Sequence, residues 1–238
     1  INWTYIGIVI PPNPNYDWMD RSPSSPTVWL ETSEEDTTWY CYFEGKGNGP
    51  NRGGGSIGLA TSTDGYNFTV YGPDPIIPLG NSGEWDSAAM VPDCIYRETG
   101  LYWLIYHAHN GITNFRAGYA YSTDLIHWTK HGPAFRKAAP DKVQGSRSGV
   151  VISRLEGNRL IATKINGKYW MYYTHPCALA WSDDLIDWTP AGRSVWPGNH
   201  EAGAIALLRE DGILLMFNAS GWEKPLPSRG DWTLGQAL

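Results

Sequence analysis

Residues 117–132 read AGYAYSTDLIHWTKHG, and the same phrase occurs twice more. Residues 57–72 read IGLATSTDGYNFTVYG and residues 177–192 read CALAWSDDLIDWTPAG. The copies begin at 57, 117 and 177, so a period of 60 residues is kept twice, and LGQA at 234–237 matches IGLA to open a fourth. Self-similarity at a fixed period decides architecture before any local reading does. In each copy a strand of small residues runs into Ser-Thr-Asp or Ser-Asp-Asp, whose short polar side chains bond their own backbone. A second strand then opens on Phe68-Thr69, Trp128-Thr129 or Trp188-Thr189, which makes each copy a β-hairpin.

An aromatic strand precedes every copy: WYCYFEG at 39–45, YWLIYHA at 102–108, YWMYYTH at 169–175 and ILLMFNA at 213–219. One more strand precedes each of those, at 25–31, 91–98, 159–165 and 203–209. The aromatic strands are apolar at nearly every position, as sheets covered on both faces require. Four short strands per repeat predict an all-β chain, a β-propeller of four-stranded antiparallel blades; stacked hairpins in a sandwich or solenoid are the competing arrangement. The blades are expected at about 25–78, 91–136, 158–196 and 203–238 of one domain spanning 1–238. Residues 1–10, containing NWTYIG, resemble an outermost strand and are expected to close the last blade and protect its edge. The stop inside a strand suggests a chain truncated in or before its last blade.

At 238 residues and 42% hydrophobic, the chain is long enough to bury a full core. Thirteen Trp and 14 Tyr against 18% charged residues point to aromatic-lined sheets and a surface suited to sugars. A net charge of −6 without a basic cluster argues against nucleic acid and against an anionic membrane. The three cysteines, Cys41, Cys94 and Cys177, are too few and too odd in number for a disulfide framework and read as buried thiols. The glycine-rich stretch at 45–55 lacks the Lys-Ser/Thr of a phosphate loop and reads as a rim loop, as do the insertions at 11–26 and 136–158.

Chemistry is expected where the innermost strands converge. There the sequence offers Asp17 and Asp20, Trp85-Asp86, Pro92-Asp93, and His200-Glu201-Ala-Gly. A carboxylate at the head of an apolar strand is costly unless paired; Asp93 reads equally as a turn cap, whereas Glu201 among small residues is harder to explain structurally. Three carboxylates from different blades, Asp20, Asp93 and Glu201, would supply an acid, a base and a group that tunes them. His107 and His109, two apart on a strand, share one face; without a further ligand set they suit sugar hydroxyls better than zinc. Trp85, Asp86, His107 and His200 are the candidate substrate contacts.

STDLIHW, SDDLIDW, GKYWMYY at 167–173, and the Pro-Asp and Glu-Ala-Gly strand heads resemble the five-bladed propeller glycosidases, glycoside hydrolase families 43 and 32 and the related family 130 of mannoside phosphorylases and mannosidases. The resemblance covers nearly the whole chain. It implies a glycoside hydrolase acting on a plant or microbial oligo- or polysaccharide, with Asp93 tuning and Glu201 as general acid. It departs in blade one, where Ser25 precedes Pro26 in place of the expected basic Asp, so Asp20 would have to reach in. ATKINGKYWMYY resembles family 130 most, which implies phosphate as the attacking group and Arg147, Arg159 and His175 as its candidate ligands. A non-catalytic carbohydrate-binding propeller is the remaining alternative. No cofactor or metal site is expected from the residues; relatives leave room for a channel calcium ion.

Overall fold

The computed structural model describes residues 4–33, 36–48, 55–113, 115–138, 143, 145–174, 177–194, 200–219 and 233–237; for 193–194, 200–204, 217–219 and 233–237 only the course of the backbone is described. The named elements are all strands. The first unit contains β1 (Ser22–Thr32), β2 (Thr37–Lys46), β3 (Gly55–Ser62) and β4 (Thr69–Val70), and the second β5 (Ala89–Glu98), β6 (Leu101–His109), β7 (Arg116–Ser122) and β8 (Trp128–Pro133). The third contains β9 (Arg147–Val151), β10 (Ser153–Glu156), β11 (Arg159–Ala162), β12 (Tyr169–Thr174), β13 (Ala178–Ser182) and β14 (Thr189–Ser194). The fourth contains β15 (His200–Arg209), β16 (Gly212–Ala219) and β17 (Thr233–Ala237). Within the first, second and fourth units successive strands pair antiparallel, as propeller blades do, and in the third β12 pairs antiparallel with β9 and β13, and β13 with β14. The innermost strand β5 packs against β1, β9 and β15, and β9 packs against β15.

The third blade departs from the sequence reading. Its innermost strand is Arg147–Val151, not 159–165, so the blade begins before residue 158. Residues 159–162 are the return arm of a hairpin, β10–β11, that extends beyond the end of the blade. That hairpin reaches both neighbours by single parallel pairings, Ser153 with Leu207 and Ile161 with Arg97. The apolar heart of the inner strand, GVVI, was masked by the small polar residues around it. Residues 4–10 form no strand, and Tyr5 and Ile6 are 83% and 64% exposed; the closing strand remains an expectation.

The Ser-x-Asp signature is a hydrogen-bonded turn. Asp124 Oδ1 accepts from Ile126 N at 2.9 Å and His127 N at 2.8 Å, while Leu125 N donates to Ser122 Oγ at 2.9 Å. Asp64 and Asp184 repeat the pattern with Ser62 and Ser182. The donated hydrogen bonds hold the carboxyls of Asp64 and Asp124 well below the usual carboxylate range. The next residue is Gly65 at φ 75°, but Leu125 and Leu185 at φ 69°. A leucine there carries about 1–2 kcal/mol of backbone strain. It is retained because both side chains are buried, 2% and 1% exposed, in the cores between blades. Leu185→Gly therefore relieves strain yet empties a core site whose loss costs about 3–5 kcal/mol. The expected result is a net destabilisation of about 2 kcal/mol in a urea melt, and an unchanged or raised midpoint would refute this balance.

Candidate active site

One structural irregularity recurs in all four innermost strands. Their pairing slips between Ser24 and Thr27 in β1, between Pro92 and Cys94 in β5, opposite Tyr172 and Thr174 in β9, and between Ala202 and Ile205 in β15. The residues inside the slips are Ser25-Pro26, Asp93, Ser148-Gly149 and Gly203-Ala204. A β-bulge bends its strand and re-aims a side chain, and bulges gather beside active sites. Proline and glycine inside an inner strand were the available sequence signal, because both are tolerated there mainly at bulges. Ser25 and Ser148 adopt φ values of 50° and 52°, a left-handed conformation that non-glycine residues hold only when the surroundings impose it.

A second regularity sits on the neighbouring strands. Trp39 pairs with Ser62, Tyr102 with Ser122 and Tyr169 with Ser182, which aligns the second strands of three blades. Five residues on from each aromatic stand Glu44, His107 and Thr174, and Asn218 takes the matching place in β16, opposite Leu234. A polar residue at one level of each otherwise apolar strand makes a tier beside the bulges. This alignment was present in the sequence and went unread.

The best-defined part of the tier lies on blade two. His107 Nδ1 is 2.7 Å from Asp93 Oδ1, with the two side chains 10% and 7% exposed. Gly149 N, from the bulge of blade three, donates to Asp93 Oδ2 at 3.1 Å. Ser148 N also lies 3.3 Å from His107 Nδ1, but one ring nitrogen cannot donate to a carboxylate and accept an N–H together. The shorter, charge-assisted contact decides for Nδ1–H, which leaves Nε2 for a ligand or water. Phe115 stands against this pair, its ring centroid 5.0 Å from that of His107 and 4.4 Å from that of His109, with the Arg147 guanidinium 5.8 Å away over its face. Phe115 was not anticipated.

The other expected residues divide. Glu201 lies on β15 opposite Asn218, one residue ahead of Ala202 where the bulge begins, and His200 is opposite Ala219; their backbones thus sit at the same end of the inner strands as Asp93. His175 lies outside the described residues. Asp20 is drawn into a loop clamp, its two oxygens accepting from Asn48 N at 2.8 Å and Asn48 Nδ2 at 3.0 Å. Arg159 is a correction: it pairs with Glu31, seven residues beyond Ser24 along β1 and so roughly 20 Å from the bulges, at the opposite end of the blade. Two of the expected substrate contacts have partners within the protein. Asp86, 2% exposed, pairs with Lys130 Nζ at 2.9 Å inside the protein. Trp85 stacks on Tyr106 at 5.5 Å, and a Cβ on Gly118 would fall 2.3 Å from its ring, so it wedges strands together.

Blade one has a buried carboxylate that the sequence reading passed over. Glu44, 4% exposed, accepts from Ser24 Oγ at 2.8 Å and pairs with Lys46 at 3.0 Å. The three cysteines are buried and none is in a disulfide. Burial pushes the Cys41 and Cys94 thiols up to about 12 and that of Cys177 to about 11, so none is a thiolate nucleophile near neutrality. A calcium ion needs six or more oxygen ligands, and among the described residues no three His, Cys, Asp or Glu side chains gather to hold a metal.

Burial first, and then the neighbouring His107, hold the His109 pKa below its ordinary 6.5, with Glu44 acting in the opposite sense. The unfolded chain takes up this proton near pH 6.5 and the folded chain only at lower pH. His109 therefore favours folding above pH 6.5, and that contribution is lost as pH falls through the folded value. In His109→Asn, the drop in melting temperature from pH 8 to pH 5 should be smaller than in the parent. An identical drop would exclude His109 from the acid sensitivity.

No protein-family model matches the chain. A 1,2-β-oligomannan phosphorylase from Thermoanaerobacter sp. is 30% identical over 135 residues, 50% of this chain and 42% of that protein, so the match spans less than half its length. The structure of a glycosyl hydrolase from Bacteroides ovatus superposes with a TM-score of 0.77 at 29% identity, over 93% of this chain and 68% of that one. A further structure, from work stating that the family 130 mannoside phosphorylases contain glycoside hydrolases targeting β-1,2-mannosidic linkages in Candida mannan, gives a TM-score of 0.78 at 28% identity, over 97% and 75% of the two chains. These likenesses support a place in the propeller-type glycosidase superfamily. They lend weight to the family 130 side of the resemblance and do not single out families 43 or 32.

Proposed function

We propose that this chain cleaves β-mannosidic bonds at the bulged end of its inner strands, with phosphate as the attacking group. The observation that carries the proposal is the Asp93 carboxylate, held on the β5 bulge by His107 Nδ1 and Gly149 N. Donors reach both of its oxygens and fix the carboxyl group in place. Asp93 is assigned the stabilisation of positive charge as the anomeric centre becomes oxocarbenium-like. Glu201 is assigned the proton delivered to the departing glycosidic oxygen. A phosphate oxygen forms the new bond to the anomeric carbon as the glycosidic bond breaks, and the leaving sugar carries away the proton.

Two features favour phosphate over water. Asp20, the base that hydrolysis would need, is engaged by Asn48, and Arg147 stands at the blade-three bulge beside Phe115. Arginine matches the geometry of phosphate oxygens. Incubation with β-1,2-mannobiose should yield mannose 1-phosphate and mannose with inorganic phosphate present, and little product without it. Equal release of mannose in both conditions would replace phosphorolysis by hydrolysis. Sugar binding without any product would leave a carbohydrate-binding propeller.

A further inference from the structure

We infer that a cavity next to this site is a subsite for a sugar unit carrying an oxyanion, either a carboxylate or a phosphate ester. The inference rests on the mannoside-cleaving reading and names a substrate class for it. The cavity has a volume of about 580 Å³ and lies between Ile112 and Thr113 ahead of β7 and Phe135, Ala138, Val143 and Ser146 beyond β8. Its walls include Ile112, Phe135 and Val143, and its polar groups Arg116, Arg136 and Ser146. A single water occupies about 30 Å³ of liquid, so the space suits a sugar ring with its substituent and far exceeds a lone oxyanion.

Its position ties it to the axial site. Ala117, on the cavity wall, is the register partner of His107, and Arg116 is that of Ala108. Ser146 Oγ accepts from Ala117 N at 3.2 Å and immediately precedes Arg147. The cavity therefore begins about one strand spacing, ~4.8 Å, outward from His107, a reach that the next unit of a bound oligosaccharide spans.

Arg116 indicates the charge of the ligand. Its Nε is buried with no hydrogen-bond partner, and it makes no ion pair among the described residues. A buried donor left unsatisfied is costly, and a bidentate oxyanion meets a guanidinium on its own geometry. Arg136 and Lys137 both bond Asp187, at 2.7 and 2.6 Å, so one carboxylate there faces two cations. A positive cavity in a chain of net charge −6 is a local feature, not a consequence of overall composition. At the mouth Ile112 is 92% exposed, an apolar surface available to the CH face of a pyranose.

Calorimetric titration of the whole chain at low ionic strength tests this with four probes: D-mannose, D-glucuronate, mannose 6-phosphate and inorganic phosphate. One of the two sugar anions should bind at least about tenfold more tightly than mannose, and which one does so separates carboxylate from phosphate ester. Arg116→Gln should remove that preference. Ile112→Glu, at an exposed position where folding is not at stake, should weaken anion binding several-fold by like-charge repulsion. Inorganic phosphate is expected to bind at the axial site beside Arg147, so the inference is overturned if Arg116→Gln weakens phosphate as much as the sugar anions, or if mannose binds the parent as well as they do. Sugar-anion affinity unchanged in both variants would overturn it too. Cleavage of neutral mannobiose is scored separately, so loss of the catalytic reading and loss of the subsite give different results.

Discussion

Asp93→Asn should lower kcat/KM for mannoside cleavage by about 10³-fold, the scale on which removal of a preorganised charge-stabilising group acts. The amide is nearly isosteric and still accepts one hydrogen bond, so the bulge and the Gly149 contact have no steric reason to move. What it loses is the negative charge opposite His107, which the proposed function assigns to the developing cation. Sugar affinity should change little, because the charge is needed in the transition state and not in the ground state. Glu201→Gln should fall by about 10²–10⁴-fold for a different reason, the loss of the proton donor. A substrate with a very acidic leaving group, which departs without protonation, should rescue Glu201→Gln and not Asp93→Asn. If Asp93→Asn retains activity within tenfold of the parent, Asp93 is a structural cap and the assignment fails.

Lys130→Met is expected to destabilise the protein by about 2–3 kcal/mol while leaving KM unchanged. Asp86 has a side chain only 3% exposed, and Lys130 Nζ reaches both its Oδ2 at 2.9 Å and the Pro78 carbonyl at 3.2 Å. Removing one partner of a buried pair strands the other charge, at a cost of about 3–5 kcal/mol. Lys130 is 29% exposed, so water relieves part of that penalty and the lower figure applies. In a chain of this length the melting temperature should fall by roughly 5–10 °C. Asp86→Leu combined with Lys130→Met should recover most of the loss, since no charge is then left unpaired. A raised KM at an unchanged melting temperature would return Asp86 to the substrate site.

What could be read from the sequence was whatever its own neighbours complete. The Ser-x-Asp turns close on backbone amides two and three residues away, so they look alike wherever they occur, and their 60-residue spacing made the repeat legible. The aromatic strands were legible because burial on both faces demands apolar side chains at every position. Asp93 was noticed because a carboxylate after proline in an apolar strand needs an explanation. The tertiary structure alone supplied that explanation: its partners include His107, 14 residues away, and Gly149, 56 residues away on another blade. It likewise decided that Asp86 belongs to Lys130, 44 residues distant, that Asp20 belongs to Asn48, and that Arg159 lies at the far end of the blade. Composition and period constrain which strands form and how often, because those depend on local hydrogen bonding and burial. Which carboxylates remain available for chemistry depends on the partners that the packing of separate blades brings within hydrogen-bond reach, and those pairings lie between residues too far apart in the chain for local pattern to register.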